Sequence, residues 1–122
     1  MHREKSSSNY NDFMNNSVVL DGVTYLVQKT ENMEVNVLKD VVDKISAPLE
    51  KCVVFFANIV DGKIIFIAKQ KATSFNCGAL VKEAAIITGG NGGGRPDFAQ
   101  AGGKDPSKVD EALNTIKNKL GL

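Results

Sequence analysis

CVVFFANIVDGKIIFIA, residues 52–68, is the stretch that decides the fold of this 122-residue chain. Cys52 to Ile59 and Lys63 to Ala68 are rich in β-branched and aromatic residues. Asp61-Gly62 between them is the dipeptide a tight hairpin turn favours, because both central positions take positive φ. Each strand is apolar at nearly every position, so the hairpin is predicted to be central and covered on both faces.

The covers lie on either side in sequence. Leu38, Val41, Val42 and Ile45 recur at the spacing of one helix face, and Pro48 closes that helix. Near the end, Asp105 is placed to cap a helix and Pro106 to occupy its first position. Val109, Ala112, Leu113, Ile116 and Leu120 then form its apolar stripe. Both helices are predicted to pack on the hairpin, with Val41, Val54, Ile65, Leu113 and Ile116 nearly inaccessible to solvent. A strand through Val23, Tyr25 and Val27 follows an Asp21-Gly22 turn. A further helix is predicted from Gly78 to Thr88, with Asn76 as cap and Gly89 as stop. Asp97 to Ala101 is short enough for an edge strand. The fold class is therefore α/β (α+β): a single mixed β-sheet with helices packed on it, in the order β-α-β-β-α-(β)-α.

A mass of 13.1 kDa allows one domain, and a chain of this size buries roughly two-thirds of its unfolded surface. Residues 1–17, MHREKSSSNYNDFMNNS, read as a polar linker or tail, which implies excision from something longer, and residues 18–122 as the domain. No apolar run approaches the roughly 20 residues that span a bilayer, so no membrane partner is expected. From the polar opening no signal peptide is expected, and a cytoplasmic location is expected. The net charge of +1 conceals an asymmetry. Residues 1–62 hold 6 Lys/Arg against 9 Asp/Glu, and residues 63–122 hold 9 against 5. The second half is thus the side suited to a polyanion.

Cys52 and Cys77 have no CxxC partner, and His2 is the single histidine. No zinc ribbon, His-dependent triad or HExxH site is expected, so neither catalytic nor metal residues are assigned. Cys52 reads as a core thiol. Cys77, at a helix start, stands where a thiol pKa can be lowered, although an inert role is the better expectation.

Seven of the 11 glycines lie between Gly89 and Gly103, in GGNGGGRPDFAQAGGKDPS. Exposed glycine amides can cradle a phosphate, and Arg95 and Lys104 add positive charge. Neither GxxxxGK[ST] nor GxGxxG is present, so a tight helix-to-strand connection is at least as good a reading of the residues.

The run GGGRPDFAQAGGKDPSKVDEAL, preceded by ALVKEAAIITGGNGGG, resembles the C-terminal end of bacterial alanyl-tRNA synthetases. The resemblance covers about residues 20–120 and is most specific over 78–113. A domain of the same type accompanies phosphoesterases of the DHH superfamily, with a shorter glycine loop. The resemblance implies a module that contacts the outer corner of an alanine-specific tRNA. It also implies the remainder of a synthetase chain as partner and allows a homodimer. ATP, Mg and Zn are implied for that parent enzyme, and none of them for this segment, which is expected to be catalytically silent.

The candidate nucleic-acid-binding residues are Gly92, Gly93, Gly94, Arg95, Lys104 and Lys108, supported by Lys69, Lys71 and Lys82. Phe98 is a candidate for stacking on an exposed base, against a core role that aromatics on short strands more often have. Two alternatives stand beside this reading: a structural or dimerisation domain without RNA binding, and the substrate-gripping domain of a DHH-type phosphoesterase.

Overall fold

The computed structural model describes residues 17–73 and 75–122. The expected tail at 1–17 therefore lies outside the described residues, apart from Ser17. The elements are β1 (Val18–Leu20), β2 (Val23–Glu31), α1 (Val35–Ser46), β3 (Cys52–Val60), β4 (Lys63–Lys71), α2 (Cys77–Ile87), β5 (Asn91–Gly94) and β6 (Phe98–Gly103). A 3-10 turn over Pro106–Lys108 then leads into α3 (Val109–Leu120).

The strands form one six-stranded mixed sheet in the order β1-β2-β3-β4-β6-β5. β2 and β3 are parallel, joined by the α1 crossover, and the other neighbouring pairs are antiparallel. Asp21-Gly22 and Asp61-Gly62 both turn with positive φ, which closes β1 on β2 and β3 on β4. Asn58, fully buried in β3, holds the start of the crossover. Its Oδ1 accepts from Met33 N at 3.2 Å and Thr30 Oγ1 at 2.9 Å, and its Nδ2 donates to Met33 O at 2.7 Å.

The hairpin is central and covered on both faces, as its sequence requires. On one face Val53, Phe55, Ile64 and Phe66 meet α2 and α3 through Val81, Ala85, Ala112 and Ile116. On the other, Val54, Phe56 and Ile67 meet α1 through Leu38, Val42 and Ile45. Val54, Leu113 and Ile116 are buried as expected. Val41 and Ile65 are not: both are half-buried at the margin of the α1 contact. A helix about 10 Å across covers about two strands spaced at 4.8 Å. A single helix lies on this face, so its cover stops short of β6.

Two further expectations are corrected. The segment read as a short edge strand at Asp97 to Ala101 is β6, one place in from the edge. The edge itself is β5, formed by glycines that read as a loop because they carry no side-chain alternation. The strand β1 was also unread, being too short to show a period.

Candidate nucleic-acid interface

The glycine segment is a strand because it has no side chains to keep it away from β6. Gly92 sits at φ +156°, and a Cβ there would run into the Cα and Cβ of Ala101. At Gly94 a Cβ would stand 2.8 Å from Ala99. The backbone of β5 thus lies directly against the side of β6 that carries Ala99 and Ala101.

The turn from β5 to β6 is Arg95-Pro96-Asp97, and it is tied to the start of α2. Arg95 O accepts from Gly78 N at 3.2 Å, and Pro96 O accepts from Cys77 N at 2.9 Å. Arg95 N donates to Phe98 O at 3.0 Å. Glycine is needed at position 78, where a Cβ would come 2.5 Å from Gly94 O. The Arg95 side chain is exposed, and no ion pair joins it to Asp97 or to any other described residue.

Lys104 and Lys108 lie at the other end of β6. Lys104 N and Asp105 N both donate to Thr88 O at 2.9 Å, which fixes the exit of the strand on the end of α2. Asp105 caps the 3-10 turn by accepting from Ser107 Oγ and Ser107 N, and these bonds hold its carboxyl below the ordinary value. Lys104 and Lys108 are exposed. Six residue steps of about 3.4 Å from Phe98 to Lys104 set the two ends about 20 Å apart. The structure therefore gives two separate cationic points rather than the single cluster that nearness in sequence implied.

The supporting lysines divide. Lys69 Nζ is paired with Asp43 Oδ1 of α1 at 2.9 Å. Lys71 Nζ donates to the carbonyls of Ser46 at 2.7 Å and Leu49 at 3.2 Å, satisfying the open end of α1. Lys82 is exposed along α2.

Between the two ends lies a surface of which the sequence reading names Phe98 and Gly93 but not Gln100, Gly102 or Asn91. Register places Lys69 opposite Phe98, Ile67 opposite Gln100, and Ile65 opposite Gly102, with Gly93 and Asn91 continuing the rows on β5. Gln100 and Gly102 are exposed, Phe98 is half-buried against the α1-side core, and a Cβ on Gly93 would meet nothing within 4 Å. Its signal was the alternation in FAQAGG, where Ala99 and Ala101 turn inward and their neighbours outward.

Cys77 is fully buried at the first position of α2. Burial, with Asp97 nearby, pushes its thiol from the ordinary 9.0 up to about 12, which overrides the lowering that a helix start can give. Because the folded thiol keeps its proton past the unfolded value, stability should decrease as pH rises from 9.0 toward about 12. At neutral pH, iodoacetamide should leave Cys77 unmodified in the folded domain and label it once urea unfolds the chain. Rapid labelling without denaturant would contradict this burial.

Among the described residues, no group of three or more His, Cys, Asp or Glu stands together as a metal would need. No described helix is long and apolar enough to cross a membrane.

A family model for the DHHA1 domain matches residues 22–121. The chain belongs to the DHHA1 domain family. It is 45% identical over 100 residues to the alanine–tRNA ligase of Carboxydothermus hydrogenoformans, a match that takes 80% of this chain and 11% of that one. With the ligase of Alkaliphilus oremlandii it shares 37% identity over 119 residues, or 94% of this chain and 14% of the ligase. The matched region thus spans only about one-ninth to one-seventh of these two ligases. Among solved structures, the C-Ala domain of Aquifex aeolicus alanyl-tRNA synthetase superposes with a TM-score of 0.76 at 29% identity, over 87% of this chain and 98% of that one. RecJ from Thermus thermophilus shares the fold, with a TM-score of 0.67 at 11% identity over 94% of this chain and 17% of RecJ. The resemblance read from the GGGRPDFAQAGGKDPS run is borne out: this DHHA1 domain is of the alanyl-tRNA synthetase type.

Proposed function

We propose that this DHHA1 domain is the tRNA-contacting C-terminal part of an alanine–tRNA ligase. Arg95 grips phosphates at one end of β6, and Lys104 and Lys108 grip them at the other. The observation that carries the reading is the likeness to the C-Ala domain over 98% of that domain's chain. The geometry supports it with exposed cations at two points, neither held in an ion pair by a described carboxylate, although Asp105 lies within the field of Lys108. An RNA lying along β6 meets both points and passes over the face of Phe98, Gln100 and Gly93. Phosphate and shape contacts of this kind position an RNA without reading paired bases. Catalysis and editing, with their ATP, Mg and Zn, belong to the rest of the ligase chain.

The identity of over a third to alanine–tRNA ligases favours this reading over a phosphoesterase, for which only the fold is shared. The test is binding of an alanine-tRNA transcript at two salt concentrations, for the parent domain, Arg95→Ala, Lys104→Ala and the double variant. Each single change should weaken binding and lower the salt slope by roughly 1. Because the sites stand about 20 Å apart, their effects should add. A folded double variant that binds as well as the parent excludes this surface.

A further inference from the structure

The cationic end at Arg95 depends on a turn whose carbonyls are all engaged, and one of the tethers is a side chain. Gln70 stands one residue from the end of β4, just beyond the last β4–β6 pair, Lys69 with Phe98. Its backbone N donates to Asp97 O at 3.1 Å. Its Oε1 accepts from Thr73 N at 3.1 Å and Thr73 Oγ1 at 2.7 Å, and its Nε2 donates to Pro96 O at 3.3 Å. The amide can take only one orientation here. The Thr73 N–H needs an acceptor, and a flipped amide would set its oxygen against the Pro96 carbonyl oxygen, so oxygen faces Thr73 and nitrogen faces the turn.

We propose that Gln70 is the positioning residue for Arg95, an assignment that rests on the tRNA-contact reading above. Pro96 O takes one bond from Cys77 N and one from Gln70 Nε2. Proline fixes φ between Arg95 and Asp97, so holding its carbonyl from two sides leaves the turn little freedom to rotate. The Arg95 guanidinium is then presented from a set backbone and loses less entropy on meeting a phosphate. A residue without a donor at position 70 keeps Arg95 in the chain but releases one side of its support.

Two measurements on the 122-residue chain test this: backbone amide order parameters at Arg95 and Asp97, and affinity for an alanine-tRNA transcript. Gln70→Met, of similar length and without a donor, should lower both order parameters and leave those of the β3–β4 hairpin unchanged. Its affinity should fall roughly three- to tenfold, the scale of one hydrogen bond. In the Arg95→Ala background the same change should cost nothing further. Gln70→Glu, which retains the acceptor for Thr73 but not the donor to Pro96, should loosen Arg95 and Asp97 while Thr73 stays ordered. Unchanged order parameters in Gln70→Met, or a loss that adds to that of Arg95→Ala, overturns the proposal. If Arg95→Ala weakens binding and Gln70→Met does not, the positioning role alone falls. If Arg95→Ala binds like the parent, the tRNA surface itself is misassigned at this end, and Gln70 loses its part in binding with it.

Discussion

Phe66→Ala should destabilise the domain by about 3–5 kcal/mol, a large share of the roughly 5–15 kcal/mol that holds a domain together. Phe66 is fully buried in β4, with its ring 5.9 Å from that of Phe55 and tilted by 44°. Its partners across the sheet are Ala57 on β3 and Ala101 on β6. Beside it stands Gly103, where a Cβ would approach the Phe66 ring to 3.2 Å. Alanines and a glycine have no side chain to swing into the vacated space. The hole therefore stays open, and the cost lies toward the upper end of the range. Urea unfolding followed by circular dichroism should show a lower midpoint with an unchanged slope. Phe98→Ala, at a half-buried site on the opposite face, should cost clearly less. A Phe66→Ala loss below about 1 kcal/mol would mean that the ring is not the packed centre of this face.

Gly92→Ala should be the most damaging change in β5, and Gly93→Ala shows why. The two positions have nearly the same backbone, φ +156° and +155°, so alanine is strained at both. That strain is worth about 1–3 kcal/mol. Only at Gly92 would the new Cβ also strike Ala101, whereas at Gly93 it would point into open space. Overpacking adds about 1–3 kcal/mol more at Gly92. The difference between the two variants, measured by denaturant unfolding, isolates the close approach of β5 to β6. Equal losses would show that the glycines serve backbone conformation alone.

This pair of glycines also shows how far the sequence could be read. The run GGNGGG advertised unusual backbone but no period, and strand signals come from alternating side chains, which glycine lacks. By contrast, Asp21-Gly22 and Asp61-Gly62 carried their geometry in the dipeptide itself, and both are positive-φ turns in the structure. Asn76 likewise caps α2 as read, with its side chain accepting from Ala79 N at 3.2 Å. Asp105 caps as expected too, although the α-helix begins only at Val109, after the 3-10 turn.

Local chemistry determined the elements of this protein: a central hairpin from residues 52–68, the helical stripes of Leu38 and Val109, and the turns and caps between them. The candidate cations were legible as residue types in the same way. What each cation does was decided by tertiary structure. Lys69 and Lys71 look like free strand lysines in sequence, yet Asp43 and the carbonyl end of α1 take them up from across the fold. Arg95 and Lys104 are near neighbours in the chain, yet β6 runs straight between them and holds them at opposite ends. Val41 and Ile65 follow the apolar pattern of the core but sit at the margin of the contact between α1 and the sheet, where both stay half-buried. Periodicity and turn propensity act over a few residues. Strand order, register and helix cover depend on contacts between segments far apart in sequence, and those contacts decide which side chains remain free to meet a ligand.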